Sequence, residues 1–522
     1  MAHDNDQITG AFGTISHDAS SRKGIRARIL TLLAIIGPGL IVMVGDNDAG
    51  GVSTYAQAGQ NFGYSLLWTL PLLIPVLVVN QEMVVRLGAV TGVGHGRLIR
   101  ERIGKRWSYL SVGSILLLNS LIIVTEFIGI SLSMDYFGVS PYLSVPVAIV
   151  ALFLVTSSGS FRRWERSMML FVAANALVIP LVIHTHIRSA QVFHHLAIPG
   201  IRGGTSSAGV LLIISIIGTT VAPWQLFFQE SNIVDKRITP RWINYERVDT
   251  IVGSFIVVIV ASILIAACAA LAPHGTTNSF TSALGVARDL GHYVGHATGT
   301  VFALILLNSS IVGAATVTLA SSYALGDLSP RFNQGLNVPL REAKGFYGAF
   351  AGLLVVAGVI TLLPGAPLGL ITLAVQALCG LMLPFTTIMV LLLQNDTATL
   401  GPWVNSRRLN IVAIIIVAIL TDLSVVMMLS TLFSSINVLA LLEWLVGITA
   451  IGLLVGMPIG LRRMAPRPVY EDDKLEYRTS RLALMSPPVS SRARRFLLRA
   501  NLAYLVVAGV LLVVRIVQMA TS

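Results

Sequence analysis

The sequence predicts an all-α membrane protein that crosses the bilayer many times. Of its 522 residues, 54% are hydrophobic and only 11% are charged, whereas soluble proteins carry about 25% charged residues. Apolar runs long enough to cross the ~30 Å hydrocarbon layer as helices recur along the chain. Two of these runs are interrupted. This composition excludes secreted, fibrous, disordered and nucleic-acid-binding proteins, and no segment outside the runs is long enough to form an enzyme domain.

Thirteen apolar segments account for most of the chain. They lie near residues 29–60, 64–85, 108–134, 139–159, 167–187, 208–234, 249–272, 298–323, 345–363, 367–394, 409–433, 436–461 and 497–519. The first and the sixth are the interrupted ones, and the last is a possible terminal span. Residues 1–28 are predicted to form a cytoplasmic polar tail. The proline-containing stretch 462–496, with its mixed charge, is predicted to be a cytoplasmic linker.

The basic residues indicate which loops face the cytoplasm. If the N-terminus is cytoplasmic, all but four of the 36 Lys and Arg residues fall on the cytoplasmic side, where membrane proteins concentrate them. The exceptions are Arg188, Arg202, Arg288 and Arg515. The net charge of +12 therefore reflects this bias and not a nucleic-acid partner. We expect a monomer in the lipid bilayer of a cell membrane, such as a bacterial inner membrane.

The first segment is interrupted at residues 45–51, which read Gly-Asp-Asn-Asp-Ala-Gly-Gly. A carboxylate in hydrocarbon costs at least about 2.5 kcal/mol on insertion scales. Irregular backbone at that depth is tolerated only where it packs within protein or lines a wet cavity. The alternative is an ordinary loop between two short helices, but residues 52–60 are too few to span the bilayer alone.

The sixth segment is interrupted at residues 219–223, which read Thr-Thr-Val-Ala-Pro. Pro223 removes a helix hydrogen bond and clashes with the preceding turn, and a simple proline kink is the alternative. The two interruptions are five segments apart, so they open two five-helix halves of opposite orientation, 29–187 and 208–394, with two further helices at 409–461. Broken helices at matching places in two inverted halves mark the substrate site of secondary transporters.

The interruptions predict a site for a divalent cation. Asp48 offers a carboxylate, and the backbone carbonyls of Gly45 and Thr219 are freed where the helices break. Oxygen ligands alone suit hard ions such as Mg2+, Ca2+ and Mn2+. Asp46 adds an outer ligand only if residues 46–51 are unwound. Otherwise it is a charge at the pore mouth or a helix cap.

Further polar side chains lie within the apolar segments. Gln376 either faces the ion or its water, or pairs with a neighbouring helix. Gln225 and Gln229 follow the second interruption and can hold water ligands. Glu126 is either a polar relay or a packing hydrogen bond. No cofactor is predicted: the two cysteines lie in apolar runs, and no histidine lies in an interrupted segment. His184, His186, His194 and His195 lie at or beyond the outer end of the fifth segment, and His274, His292 and His296 lie in an outer loop.

Several motifs resemble those of the NRAMP divalent-metal transporters. They are Gly37-Pro38-Gly39, Asp48-Ala49-Gly50-Gly51, Gln57-Ala58-Gly59, the run from Arg86 to Gly92, Glu126-Phe127-Ile128-Gly129, Thr220-Val221-Ala222-Pro223, and Gln376 with the later Leu383-Pro384-Phe385. The resemblance extends roughly over residues 30–435. It implies the fold of the leucine-transporter class, with two inverted five-helix repeats and two or three extra C-terminal helices.

The departures from these motifs indicate which ion is carried. The family's first-helix motif is Asp-Pro-Gly-Asn, and here Ala49 and Gly51 stand in place of the proline and the asparagine. Its sixth-helix motif is Met-Pro-His, and here Ala222 and Trp224 stand in place of the methionine and the histidine. The third-helix aspartate corresponds to Ile123. In these respects the chain looks like the NRAMP-related magnesium transporters.

The missing thioether would have favoured transition metals over Mg2+. Gly51 and Ala222 would widen the site for a partly hydrated ion, which is the form that Mg2+ usually keeps. The resemblance thus implies import of Mg2+ and also Mn2+ by alternating access, without proton coupling. Two alternatives stay open: a proton-coupled Mn2+/Fe2+ symporter, and an amino-acid transporter of the same fold.

Overall fold

Helices make up most of the computed structural model. It describes residues 7–16, 24–204, 206–275, 279–329, 332, 335–433, 436–462, 474–480, 482, 485 and 492–521. The strands are β1 (Gln7–Gly10) and β2 (Gly13–Ser16). The helices are α1 (Ile25–Ile35), α2 (Pro38–Gly45), α3 (Ala49–Phe62), α4 (Thr69–Thr91), α5 (His95–Arg102), α6 (Lys105–Tyr136), α7 (Pro141–Thr156), α8 (Phe161–Ala174), α9 (Val178–Thr185), α10 (Ser189–Ala197), α11 (Ser207–Thr220), α12 (Pro223–Asp235), α13 (Ile243–Cys268), α14 (Ala283–Tyr293), α15 (His296–Leu328), α16 (Lys344–Thr361), α17 (Leu368–Gln394), α18 (Thr397–Leu400), α19 (Arg407–Leu432), α20 (Val438–Arg462) and α21 (Arg492–Thr521).

In this part of the chain, ten helical spans are long and apolar enough to cross a membrane. They coincide with the second, third and fifth to twelfth predicted segments, and the shorter apolar helix α7 lies in the fourth. The last predicted segment lies within α21. Large apolar side chains stay exposed on the outer helices: Trp444 is 74% and Leu454 is 76% exposed. The prediction of a polytopic all-α membrane protein is confirmed.

Both predicted interruptions are breaks between helices. The first lies between Gly45, the end of α2, and Ala49, the start of α3. The unwound stretch is therefore 46–48 and not 46–51 as predicted, but it contains both Asp46 and Asp48. Asp48 caps α3, because its carboxylate accepts a hydrogen bond of 2.7 Å from the backbone N–H of Gly51. The second break separates α11 from α12. Pro223 is the first residue of α12, where the missing N–H has no helical partner to lose.

The first span also has a bend that the sequence did not predict. α1 and α2 meet at an angle of 52°. Gly37, between them, has a φ of +147°, which side chains other than glycine rarely adopt. A Cβ at this position would lie 2.1 Å from Oε1 of Glu165. The bend therefore requires glycine at residue 37.

The helix ends around this bend define one face of the bundle, which we call the N-terminal face. Asp249, near the start of α13, accepts hydrogen bonds from the backbone N–H groups of Gly37 and Gly39 at 3.0 and 2.8 Å. Lys236, just after α12, donates to the backbone carbonyl of Ile35 at 2.6 Å. The bend of the first span is thus tied directly to the second half of the chain.

The predicted N-terminal tail contains an antiparallel hairpin. Gln7 pairs with Ser16, and Gly10 pairs with Gly13. Ile8, Ala11 and Ile15 are buried, so this part of the tail packs against the helices. Residues 1–6 and 17–23 of the predicted tail lie outside the described residues.

The predicted linker is described only in part. Residues 474–480 lie on the N-terminal face, where the indole N–H of Trp403 donates to the backbone carbonyl of Lys474 at 2.8 Å. Most of the other linker residues lie outside the described ranges. α21 follows and packs on α17, and Asn501 Nδ2 donates to the carbonyl of Phe385 at 3.4 Å.

Candidate metal site

The two breaks lie side by side within the bundle. The hydroxyl of Tyr55, in α3, hydrogen-bonds to Oγ1 of Thr220, at the end of α11, at 2.8 Å. Across the same junction, the side-chain amide of Gln225 in α12 donates to the carboxylate of Asp46. The structure therefore brings the two interrupted segments together, as the sequence predicts.

Asp48 is contacted from its own helix and from α17. Its Oδ1 accepts the N–H of Gly51 and also lies 3.5 Å from Nε2 of Gln376. Gly50 makes this approach possible, because a Cβ there would lie 1.5 Å from the same Nε2 atom. Of the two interpretations of Gln376, the structure shows its amide directed to the break at Asp48.

Asp46 is held by a chain of two amides. One of its oxygens accepts from Gln225, and Oε1 of Gln225 in turn accepts from Nε2 of Gln81 at 3.1 Å. Gln81 lies in α4 and was not among the predicted site residues. Its signal was a polar triplet, Asn80-Gln81-Glu82, near the end of an apolar run. The amide of Gln225 is oriented by this contact, with its NH2 group toward Asp46.

Glu126 reaches the first break from α6. Its Oε2 accepts a hydrogen bond of 3.1 Å from the backbone N–H of Ala49, the residue after Asp48. A Cβ on Gly313 of α15 would lie 2.4 Å from the same oxygen and 3.1 Å from Cβ of Asp48. Gly129, one turn later, lets α15 approach, because a Cβ there would lie 2.2 Å from Oγ of Ser310. The bond to Ala49 places Glu126 at the first break, and its role as a polar relay stays a prediction.

Several buried oxygen atoms around the breaks have no hydrogen-bond partner among the described residues. They are Oδ2 of Asp46, Oδ1 of Asn47, Oε1 of Gln81, Oε1 of Glu126, Oγ1 of Thr219 and Oε1 of Gln229. A buried polar group without a partner costs about 1–3 kcal/mol. In the described part of the chain, no three His, Cys, Asp or Glu side chains converge closely enough to hold a metal ion alone. An ion at the breaks would therefore need carbonyl, amide or water ligands besides carboxylates.

The small residues of the breaks are tightly packed. A Cβ on Gly51 would lie 3.0 Å from the backbone oxygen of Asp46 and 3.4 Å from Oγ1 of Thr219. A Cβ on Gly45 would lie 3.1 Å from Oγ1 of Thr316. The room that the sequence assigned to Gly51 is thus occupied by oxygen atoms of the site in this conformation. Ala222, the residue before Pro223, is buried.

The site is closed to solvent in this conformation. Asp46, Asp48, Thr219, Gln225 and Gln376 are all 2% exposed or less. An ion could reach these residues only after a rearrangement of the surrounding helices.

The predicted outer histidines lie away from the breaks. His186 and His195, with Arg188 and Arg202, line a cavity of about 760 Å3 near the ends of α9 and α10. Burial, together with the neighbouring His194, lowers the pKa of His195. None of the described histidines lies in either break. These rings therefore belong to a separate surface of the molecule.

The comparisons with known proteins agree with this architecture. A family model described as natural resistance-associated macrophage protein-like, Nramp, matches residues 39–430. The chain belongs to the Nramp family. Among similar Nramp proteins, the divalent metal cation transporter MntH of Ralstonia nicotianae is 26% identical over 410 residues, which cover 75% of this chain and 89% of that protein. MntH of Bacillus subtilis is 25% identical over 427 residues, covering 77% and 93%.

A solved structure shows the same fold. The manganese transporter of Eremococcus coleocola, in complex with an aromatic bis-isothiourea compound, superposes with a TM-score of 0.65 at 22% identity. The match covers 89% of this chain and 100% of that one. The predicted family resemblance and the predicted leucine-transporter-like fold are therefore both confirmed.

Proposed function

We propose that this Nramp protein imports divalent cations, Mg2+ and also Mn2+, as a uniporter that binds the ion between the two breaks. The observation that carries the proposal is the chemistry of the site. Carboxylate, hydroxyl and amide groups surround the junction, whereas Ala222 and Trp224 stand where the family motif has a thioether and an imidazole. Oxygen ligands without sulfur suit hard divalent ions.

Each site residue has a proposed role. Asp48 is the central ligand, and the last-turn carbonyls of Gly45 and Thr219, which lack ordinary helical partners, complete the inner set. Gln376 and Gln225 hold water molecules of the ion. Asp46 acts as an outer carboxylate whose position is fixed by Gln225 and, through it, by Gln81.

The unpartnered oxygens support a partly hydrated ion. Mg2+ gives up water reluctantly and usually keeps several aqua ligands. Water molecules on the ion can donate hydrogen bonds to oxygens such as Oδ2 of Asp46 and Oγ1 of Thr219, which have no partner among the described residues. Bare carboxylates facing a dry ion would leave these atoms unsatisfied.

The closed site supports alternating access. We propose that the N-terminal face is the cytoplasmic side of the protein in a cell membrane. Residues 29–187 and 208–394 form the two inverted repeats. Opening first to the other face and then to the cytoplasm would move the ion inward. Two positive charges gain about 4.6 kcal/mol per 100 mV of inside-negative potential, so import requires no proton. Ile123 and Trp224, in place of an aspartate and a histidine, support uniport.

Flux into liposomes tests this proposal. Purified protein is reconstituted with a pH dye inside, a potassium diffusion potential is applied, and uptake of Mg2+ and Mn2+ is followed. We expect uptake that increases with inside-negative potential and leaves the internal pH unchanged. Acidification in step with metal uptake would instead establish the proton-coupled symporter. Binding of a radiolabelled amino-acid mixture, with no metal uptake, would establish the organic-solute alternative.

A matched pair of variants tests the site. Asp48→Ala should abolish uptake of both metals. Asp422→Ala serves as its control, because Asp422 is also a buried carboxylate within a span but is bonded to Thr449 in α20. Unchanged Mg2+ uptake in Asp48→Ala would refute the assignment of Asp48 as the central ligand.

A further inference from the structure

The N-terminal hairpin is stabilised by its contacts with the helices on which it packs. Each strand has only four residues, and an isolated two-stranded hairpin is at best marginally stable in water. Nevertheless, Ile8 is fully buried, and Ala11 and Ile15 are 1% and 2% exposed. The hairpin is therefore held by tertiary contacts.

The hairpin makes its first contact with α1. A Cβ on Gly10 would lie 2.0 Å from the backbone oxygen of Ala34, and a Cβ on Gly13 would lie 3.0 Å from Cβ of Ala34. The hairpin backbone thus packs directly on α1 with no side chain between them. Glycine at residue 10 is a steric requirement of this contact.

The hairpin makes its second contact near the start of α8. The backbone N–H of Ala11 donates to Oε2 of Glu165 at 2.5 Å. Nε of Arg166 donates to the carbonyl of Ala11 at 2.8 Å. Both backbone groups of Ala11, in the turn of the hairpin, are therefore hydrogen-bonded, and one of these bonds also satisfies an oxygen of the buried Glu165 carboxylate.

The same carboxylate belongs to an ion pair at the bend of the first span. Nζ of Lys236 lies 2.6 Å from Oε1 of Glu165, and both side chains are fully buried. Lys236 also donates to the carbonyls of Ile35 and Ile36 at 2.6 and 3.2 Å. A buried ion pair is favourable only when further hydrogen bonds satisfy both partners. The hairpin provides one of them, so its docking and the position of the bend are coupled.

We propose that the hairpin formed by residues 7–16 is a lock on the N-terminal half of the first span. While it is docked, it holds α1 through Ala34 and completes the Glu165–Lys236 pair that fixes the end of α1. α1 and α2 cannot swing away from α8 and α12 until the hairpin leaves. In the proposed transport cycle, release of the hairpin would have to precede movement of α1 and α2. The proposal itself concerns only that movement, which can be measured without metal.

Hydrogen exchange of the full-length protein in lipid nanodiscs tests the lock. Gly10→Val introduces a residue that favours strands but whose side chain cannot fit against Ala34. We expect amide exchange in α1 and α2 to become about tenfold faster, the change that corresponds to losing one hydrogen bond to a charged group. Thr14→Val is the matched control, since Thr14 is an exposed residue of the same hairpin, and it should leave exchange unchanged.

A second pair of variants tests the contact between the hairpin and α8. Arg166→Ala deletes the contact with Ala11 and leaves the Glu165–Lys236 pair intact, and it should accelerate exchange in α1 and α2 in the same direction. Arg163→Ala, which removes an exposed arginine bonded to Ser158, should have no effect. Unchanged exchange of α1 and α2 in both Gly10→Val and Arg166→Ala overturns the lock, whatever the hairpin itself does. Because no metal is present, this outcome leaves the proposed transport function untouched.

Discussion

The two helix breaks meet at one site but differ in chemistry. The first carries Asp46 and Asp48, and side chains from three other helices bond to it: Gln225, Glu126 and Gln376. The second has only Val221 and Ala222 between its helices and bears no charge. One break thus concentrates the negative charge, and the other contributes backbone and space. We infer that residues of the second break can tune selectivity without altering the charge that attracts the ion.

The largest expected effect comes from the first break. Gly50→Ala would force Gln376 away from Asp48, because its Cβ would lie 1.5 Å from Nε2 and 2.3 Å from Cδ of Gln376. Displacing a buried amide from its partner costs about 1–3 kcal/mol, so the apparent Mg2+ affinity should fall about ten- to hundredfold. Uptake titrations in proteoliposomes measure it.

Gly113→Ala is the control for this variant, because Gly113 lies in a spanning helix with open space around its Cβ position. A wild-type affinity in Gly50→Ala would show that Gln376 is not needed beside Asp48. The first break would then tolerate change as readily as we expect of the second.

Selectivity is expected to depend on the second break. Ala222→Met restores the family's thioether there, and combining it with Gly51→Asn also restores the family's amide at the first break. Because sulfur favours softer ions, preference should shift about tenfold from Mg2+ toward Mn2+ and Cd2+. Competition of each ion with Mg2+ uptake measures the shift, and the single Ala222→Met variant shows how much of it sulfur alone causes. An unaltered competition profile in the double variant would contradict the softness argument.

The amide chain between the breaks gives a smaller effect. Gln81→Leu removes the donor that orients Gln225, so Gln225 no longer has its NH2 group fixed toward Asp46. We expect the apparent Mg2+ affinity to fall about fivefold, which corresponds to the ~1 kcal/mol of a typical hydrogen bond. Asn80→Leu is a control of similar burial on the same helix. Equal losses in the two variants would mean that general packing of α4, and not the amide chain, accounts for the effect.

The smallest effect is expected at the direct bond between the breaks. Tyr55→Phe deletes the hydroxyl that bonds to Thr220, but Thr220 keeps its bond of 2.7 Å to the carbonyl of Ile216. The change should therefore weaken Mg2+ uptake only two- to threefold, or about 0.5 kcal/mol. A complete loss of uptake would show that this bond, and not the charge on the first break, holds the site together.

Much of the site could be predicted from local chemistry. Asp48 and Pro223 were identified because a carboxylate among glycines and a proline after two threonines are costly in an apolar helix and favour a break. Gln376 was identified because an amide in such a helix needs a partner, although the sequence left its partner open. The magnesium preference and the absence of proton coupling remain proposals, since they depend on which ligands are missing as well as on which are present.

Other features gave weak local signals. Gln81 appeared only as one of two amides in a largely apolar run, and nothing along α4 indicates that it bonds to Gln225 in α12. Gly37 lies in a Gly-Pro-Gly motif, but the side chain that would clash with a Cβ there belongs to Glu165, far along the chain. The hairpin at residues 7–16 has two buried isoleucines and two close-packed glycines, a pattern too short to predict a docked structure.

The sequence by itself determined the membrane class, the family resemblance and the places where two helices break. These properties follow from hydrophobicity and from clusters of residues that are costly within a helix in lipid. Only the tertiary structure decided that Gln81, Gln225 and Asp46 form one hydrogen-bonded chain, that Glu126 bonds to the backbone beside Asp48, and that the hairpin packs on α1 and Glu165. These contacts join residues far apart in the chain, and they depend on how whole helices pack, which no local pattern specifies.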